Sequence, residues 1–289
     1  KAGARHHTYT HVRGYHPLLA VAAGTGDVLM ARLREGRANT ARGAGHFLRE
    51  TIGRVRYAGA SGPLTMRADS GFYGHAVVAV CRRMDVRFSI TLRQSPATRR
   101  LIEAIPESAW TPIPYWLDGG ADVAETTYTP FADQKDAVPV RLIVRRVRPT
   151  PGSQLALLTL YDFHAFVTDR AGDTLTLEAD HRRHAEIENA IRDLKYGMAL
   201  NHLPSGRFAA NGAWLAVQVI AHNLARWTAR IGLGVGIVTT KTLRRRLFGL
   251  VGRLTRSARR LTLHFPTRWP WAIDWTVALA RFRALPLLA

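Results

Sequence analysis

Within HRRHAEIENAIRDLK, residues 181–195, two histidines, a glutamate and a lysine fall at positions 181, 184, 188 and 195. An α-helix advances about 100° per residue, so with His181 at 0° the others lie near about −60°, −20° and −40°. The four side chains would share a stripe roughly 60° wide and roughly 20 Å long. A carboxylate is a hard-oxygen ligand for a divalent cation, and lysine and histidine can donate to a phosphate. Such a stripe could hold a metal ion and a phosphate. It could equally be a solvated face braced by a Glu188–Arg192 pair at i,i+4. Lysine is scarce in the chain, at Lys1, Lys135, Lys195 and Lys241, which gives its place on the stripe weight.

Ile187, Ala190, Ile191 and Leu194 occupy the neighbouring helix face and should pack on a core. The spacing predicts one helix over 181–195, with Asp180 as N-cap and Gly197 beyond the end. A second acid sits in residues 59–94, which read as a β-α-β unit. The loop GASGP leads into a strand, LTMRAD; DSG turns the chain; a helix, FYGHAVVAVCRRM, and a strand, VRFSITLR, follow. Asp69 therefore closes a strand, where it can cap the next turn or ligate a metal. Cys81, the single cysteine, reads as a small core residue on that helix.

Residues 16–36 read as a β-hairpin turning at TGD, with Asp27 a turn residue. A helix is predicted within 38–55, from Phe47, Leu48, Ile52 and Val55. Residues 106–178, rich in Pro, Thr and Val, suggest an antiparallel β insertion. From 179 the chain reads as mostly helical, with a long, largely buried helix over 207–231, a strongly basic stretch at 243–260 and a strand at LTLHF. His6, His7 and His11 mark an exposed N-terminal segment rather than a metal site, since no acid lies near them in sequence.

The formal net charge is +20, from 41 basic and 21 acidic residues. That surplus favours a polyanion such as nucleic acid, although an anionic membrane or an arginine-biased coding composition would also produce it. Residues 231–289 hold eleven Lys or Arg against one acid, Asp274. One cysteine allows neither an internal disulfide nor a multi-cysteine metal site. No apolar run approaches the roughly 18 residues of a membrane span.

In order along the chain, GYHPLLAV (14–21), LREGRANT (33–40), MRADSGFY (66–73), HRRHAEIENAIRDLKYG (181–197) and LPSGRFAANGAWLAVQVIAHNLARW (203–227) resemble the transposase DDE domain group 1 family of bacterial insertion sequences. The helix motif resembles that group's Tyr-x2-Arg-x3-Glu-x6-Lys signature, with His181 at the Tyr position and His184 at the Arg position. The resemblance implies an α/β, RNase H-like mixed sheet flanked by helices, with an antiparallel β insertion and a helical C-terminal region. Its parts would be residues 1–105, the insertion at 106–178, and 179–289. It implies two Mg²⁺ (or Mn²⁺) ions held by two aspartates and a glutamate, with Asp69 as the second aspartate and Glu188 as the glutamate. His181, His184, Arg192 and Lys195 would contact the DNA backbone. The implied partners are double-stranded DNA, as transposon ends and target, and a second copy on DNA; no membrane is implied, and the setting would be the cytoplasm at the nucleoid.

The family's first aspartate lies upstream of the GYHPLLAV hairpin, and no acid precedes Asp27 here. The chain, which starts at Lys1, is therefore expected to be truncated after that aspartate, to bind metal weakly and not to transpose. A DNA-binding remnant or domesticated protein without catalysis is the alternative, and a stand-alone RNase H-like nuclease a third.

Overall fold

The computed structural model describes residues 1–6, 13–115, 117–149, 151, 161–266 and 268–286. His7 and His11 lie outside the described residues, as does part of the expected β insertion. The chain divides into two compact units, one formed by Lys1–Arg37 with Glu186–Ala289 and the other by Ala38–Ala185. The N-terminal part of the first unit is two hairpins. β1 (Arg5–His6) pairs with β2 (Arg13–Gly14), and β3 (Leu18–Val21) with β4 (Val28–Arg32), all antiparallel. Leu18, Val28 and Met30 turn inward. The TGD turn is made by Gly24 and Gly26, both at positive φ; a side chain at Gly26 would also strike the Arg226 guanidinium at 2.0 Å.

The second unit is built on a mixed six-stranded sheet. Its elements are α1 (Ala44–Tyr57), β5 (Leu64–Ala68), α2 (His75–Arg83), β6 (Val86–Leu92), α3 (Pro96–Glu103), β7 (Thr111–Ile113), β8 (Ala121–Tyr128), β9 (Val140–Val147), β10 (Asp162–Thr168) and α4 (Thr174–Arg182). The sheet order is β5-β6-β10-β9-β8-β7. β5 and β6 run parallel, as a β-α-β unit requires, and the other pairs are antiparallel. The strands expected at 106–178 thus extend the same sheet that carries β5. β9 reads VRLIVRRV because the sheet is covered on both faces. Leu142 and Val144 join Phe88, Ile90, Val77, Val78 and Cys81 in one core, while Ile143 and Val147 join Val123, Phe166 and Leu177 in another. Cys81 is fully buried, and burial pushes its thiol up to about 12, so it is the inert core residue its sequence context implies.

The remainder of the first unit comprises α5 (Glu186–Arg192), α6 (Phe208–Trp227), α7 (Thr240–Leu243), β11 (Arg253–Ser257), β12 (Arg260–His264) and α8 (Ala272–Arg283). Two expectations change here. The 207–231 segment is not largely buried: Val217, Ile220, Leu224 and Trp227 line an exposed side of α6. The basic stretch at 243–260 is also less helical than the reading of the chain from 179 expected. It passes from α7 through a π-turn at Arg244–Phe248 into β11, which pairs with β12 as a two-stranded ribbon.

Together these elements make an α/β chain with a mixed sheet flanked by helices, the fold class expected from the sequence.

Candidate functional site

The single helix predicted over 181–195 is broken. α4 ends at Arg182, Arg183–Ala185 form a 3-10 turn, α5 runs Glu186–Arg192 and a π-turn spans Asp193–Gly197. The boundary between the compact units falls at Ala185 and Glu186, inside the motif. Angles computed on one continuous helix therefore do not hold across the motif, because each change of helix type resets the turn per residue. The helix also begins earlier than predicted. Asp173, not Asp180, is its N-cap, accepting from the Thr176 amide at 2.9 Å.

In the Ala38–Ala185 unit, Asp69 follows β5 directly and caps a 3-10 turn at Ser70–Phe72, its Oδ1 accepting from the Gly71 amide at 2.9 Å. It is exposed. The cap uses one oxygen, so capping and ligation are compatible for this carboxylate. Asp180 is held instead by Arg170 and Arg67, with Arg67 Nη1 3.3 Å from Oδ1. Burial opposes its charge, but the two guanidiniums outweigh that and keep the carboxyl below the usual range.

His181 departs from the expected open stripe. It is buried, 6% exposed. Its ring lies on Phe166, Nδ1 is 2.7 Å from the Ser89 hydroxyl and Nε2 is 3.1 Å from that of Thr91. Burial first, then His184, Arg67 and Arg145, bring its pKa down to about 3. A neutral ring with both nitrogens engaged has no donor to spare for a phosphate. His184 is half-buried, and its Nδ1 donates to the His181 carbonyl at 2.8 Å.

In the other unit, α5 carries Glu188 and Arg192 exposed, and Lys195 is exposed on the π-turn that follows. Arg192 does not pair with Glu188; its Nη2 donates to Asn189 Oδ1 at 2.6 Å. Ala190 and Leu194 are buried, as the apolar face predicts, with Ile187 and Ile191 half-buried. Asp193 ties the motif down. Its Oδ2 accepts from the Thr240 hydroxyl at 2.6 Å, and both oxygens accept from the Thr240 amide at 3.0 and 3.2 Å. His222 Nδ1 lies 3.4 Å from the same carboxylate. Burial opposes the charge on Asp193, but His222 and Thr240 outweigh it and hold the carboxyl below its usual range. Gly197 is required beside it, since a Cβ there would stand 2.7 Å from Asp193 Oδ1.

Sequence reasoning missed Asp193, and the signal available was an acid inside an apolar face. It also missed the clamp of α6 on the β3–β4 hairpin. Asn223 bonds both polar backbone atoms of Val28, at 2.8 and 2.9 Å. Arg230 reaches Asp27 Oδ2 at 2.9 Å, so the Asp27 carboxylate is committed to the hairpin turn.

Among the described residues, no three His, Cys, Asp or Glu side chains gather as a metal cage would. Asp69 and Glu188 are both exposed, the first in the Ala38–Ala185 unit and the second in the other. Mg²⁺ commonly takes one or two carboxylates and completes its shell with water and phosphate.

The family description of transposase DDE domain group 1 matches residues 1–287. The chain belongs to this family. Among curated proteins, none matches it. Membership supports a transposase function, a nuclease-type enzyme with a DNA substrate, and the divalent metal ions typical of the family. Among the described residues no helix is long and apolar enough to cross a membrane.

Proposed function

We propose that this chain is the catalytic part of a DNA transposase of a bacterial insertion sequence, with Asp69 and Glu188 as carboxylate ligands for Mg²⁺ or Mn²⁺. The observation that carries this reading is that these two acids stand at the matching motif positions and are exposed without a cationic partner among the described residues, whereas Asp180 and Asp193 nearby are committed to partners. Bound divalent ions would activate the attacking hydroxyl and stabilise the leaving oxygen of a phosphodiester. Lys195 and Arg192 supply exposed positive charge beside Glu188 for the DNA backbone. With Nδ1 bonded to the His181 carbonyl, His184 offers a phosphate an Nε2–H only as the doubly protonated imidazolium. His181 holds the end of α4 against the sheet and acts by positioning.

On this reading residues 1–105 and 179–289 belong to the catalytic domain, 106–178 are its β insertion, and two copies assemble on the DNA ends. Two carboxylates hold a cation less firmly than three, so these residues alone should bind metal weakly and turn over little DNA. A DNA-binding protein without chemistry is the second reading, favoured by the lack of a three-ligand cluster among the described residues.

Mn²⁺ titration followed by water-proton relaxation tests the assignment. Asp69→Asn retains a capping side chain, so a severalfold loss of Mn²⁺ affinity in this variant and in Glu188→Gln reports ligation rather than folding. Unchanged affinity in both would remove the metal assignment, and robust Mg²⁺-dependent DNA cleavage by the parent chain would overturn the expected weakness.

A further inference from the structure

The β11–β12 ribbon stands apart from the six-stranded sheet, pairing only within itself among the described residues. Nearly every residue in it is exposed. Its register separates two faces, because directly opposed residues share a side. Arg253 with His264, Thr255 with Thr262 and Ser257 with Arg260 form one face. Leu254 with Leu263 and Arg256 with Leu261 form the other. The first face is entirely polar and rich in donors. The ribbon and its turn carry Arg253, Arg256, Arg259 and Arg260 and no acid, within a 59-residue stretch whose one acid is Asp274.

The turn is unusual. Ala258 and Arg259 both adopt positive φ, 46° and 63°, where two-residue hairpins normally use Asn or Gly. Left-handed backbone is strained for a residue that carries a Cβ. The strained turn presents an arginine at the tip of a basic ribbon.

We propose that this ribbon is a DNA-binding element that enters the major groove of a B-form duplex with its Arg253, Thr255, Ser257, Arg260, Thr262 and His264 face toward the base edges. The proposal rests on the DNA-transposase reading and gives that substrate a contact surface. Dimensions support it: paired strands lie about 4.8 Å apart and five residues span roughly 17 Å, while the major groove is about 12 Å wide and admits a two-stranded ribbon. Arginine reads guanine O6 and N7 there, and Ser or Thr can serve either base-edge donor or acceptor. Thr255 and His264 are joined through Oγ1 and Nε2 at 2.9 Å, which orders the base of the face. The deep, narrow major groove of A-form RNA excludes such a ribbon, so duplex DNA is favoured over duplex RNA.

The test uses the full chain in EDTA with a fluorescent 30-base-pair duplex of random sequence, so that binding is read without cleavage. Arg253→Ala with Arg260→Ala should weaken binding at least tenfold and reduce the salt dependence. Arg256→Ala, which removes the same charge as either single change but from the opposite face, should stay within twofold of the parent. Methylating guanine N7 beforehand should weaken the parent and leave the double variant unchanged. Melting temperatures show whether the variants fold, and Arg253→Gln with Arg260→Gln replaces any that does not.

Equal losses from Arg256→Ala and Arg260→Ala, equal affinity for duplex RNA, or indifference to N7 methylation would each overturn the proposal. A parent that binds while the double variant binds equally well removes the ribbon alone. A parent that binds no DNA removes the transposase reading with it.

Discussion

The imidazole of His181 lies flat on the ring of Phe166, with centroids 4.0 Å apart and planes inclined by 7°. This stacking fixes the end of α4 against the sheet and leaves the histidine neutral. Burial opposes protonation, as do the charges of His184, Arg67 and Arg145, with Asp180 alone favouring it.

A pH dependence follows. The folded value of about 3 lies below the ordinary histidine value of 6.5, so the unfolded chain takes up this proton first as pH falls. The contribution of neutral His181 is complete above about pH 6.5 and is lost progressively down to about pH 3, a span worth roughly 3–5 kcal/mol. Urea unfolding at pH 7 and pH 4 should show a smaller pH difference for His181→Gln than for the parent. An identical difference would contradict the buried, neutral ring.

Asp193→Ala should destabilise the chain by about 2–4 kcal/mol, because it leaves the buried Thr240 hydroxyl and amide without their acceptor. Asp193→Asn keeps one acceptor and should cost less. Thermal and urea unfolding of the two variants measures the difference.

Asn223→Ala should cost about 2–3 kcal/mol, since one side chain satisfies both the amide and the carbonyl of Val28. Hydrogen exchange gives a local check. The Val28 amide should lose protection in this variant while amides of β9 keep theirs.

Arg146 is buried between the rings of Trp110 and Tyr161, 4.4 and 4.7 Å from their centroids, and donates to Asp122 at 2.8 Å and to Glu107. Arg146→Ala strips a buried carboxylate of one of its two cations, Arg148 being the other, and should cost about 3–5 kcal/mol. Arg146→Lys should recover only part of this, because an ammonium cannot fork between two carboxylates while stacking on both rings. Equal stability of the Lys variant and the parent would show that the planar fork contributes nothing.

The sequence by itself determined the elements whose signals are local. LTMRAD, the helix after it and VRFSITLR announce a β-α-β unit through apolar rhythm and turn residues only a few positions apart, and that is how they fold. Asp69 at the end of β5, the TGD turn, the buried Cys81 and the family itself were legible for the same reason. Tertiary structure decided the rest. Whether His181 faces solvent depended on Ser89, 92 residues away. Whether Asp193 was an anchor depended on Thr240, 47 residues away. The strand at LTLHF was legible as β12, but its partner β11 stayed hidden because Ala258 and Arg259 carry no turn signal, and the pairing of the strands, not the turn residues, holds the ribbon together. Helical periodicity records which side of an element is apolar. Desolvation and hydrogen-bond partners belong to whatever the rest of the chain brings against that side, and only folding supplies them.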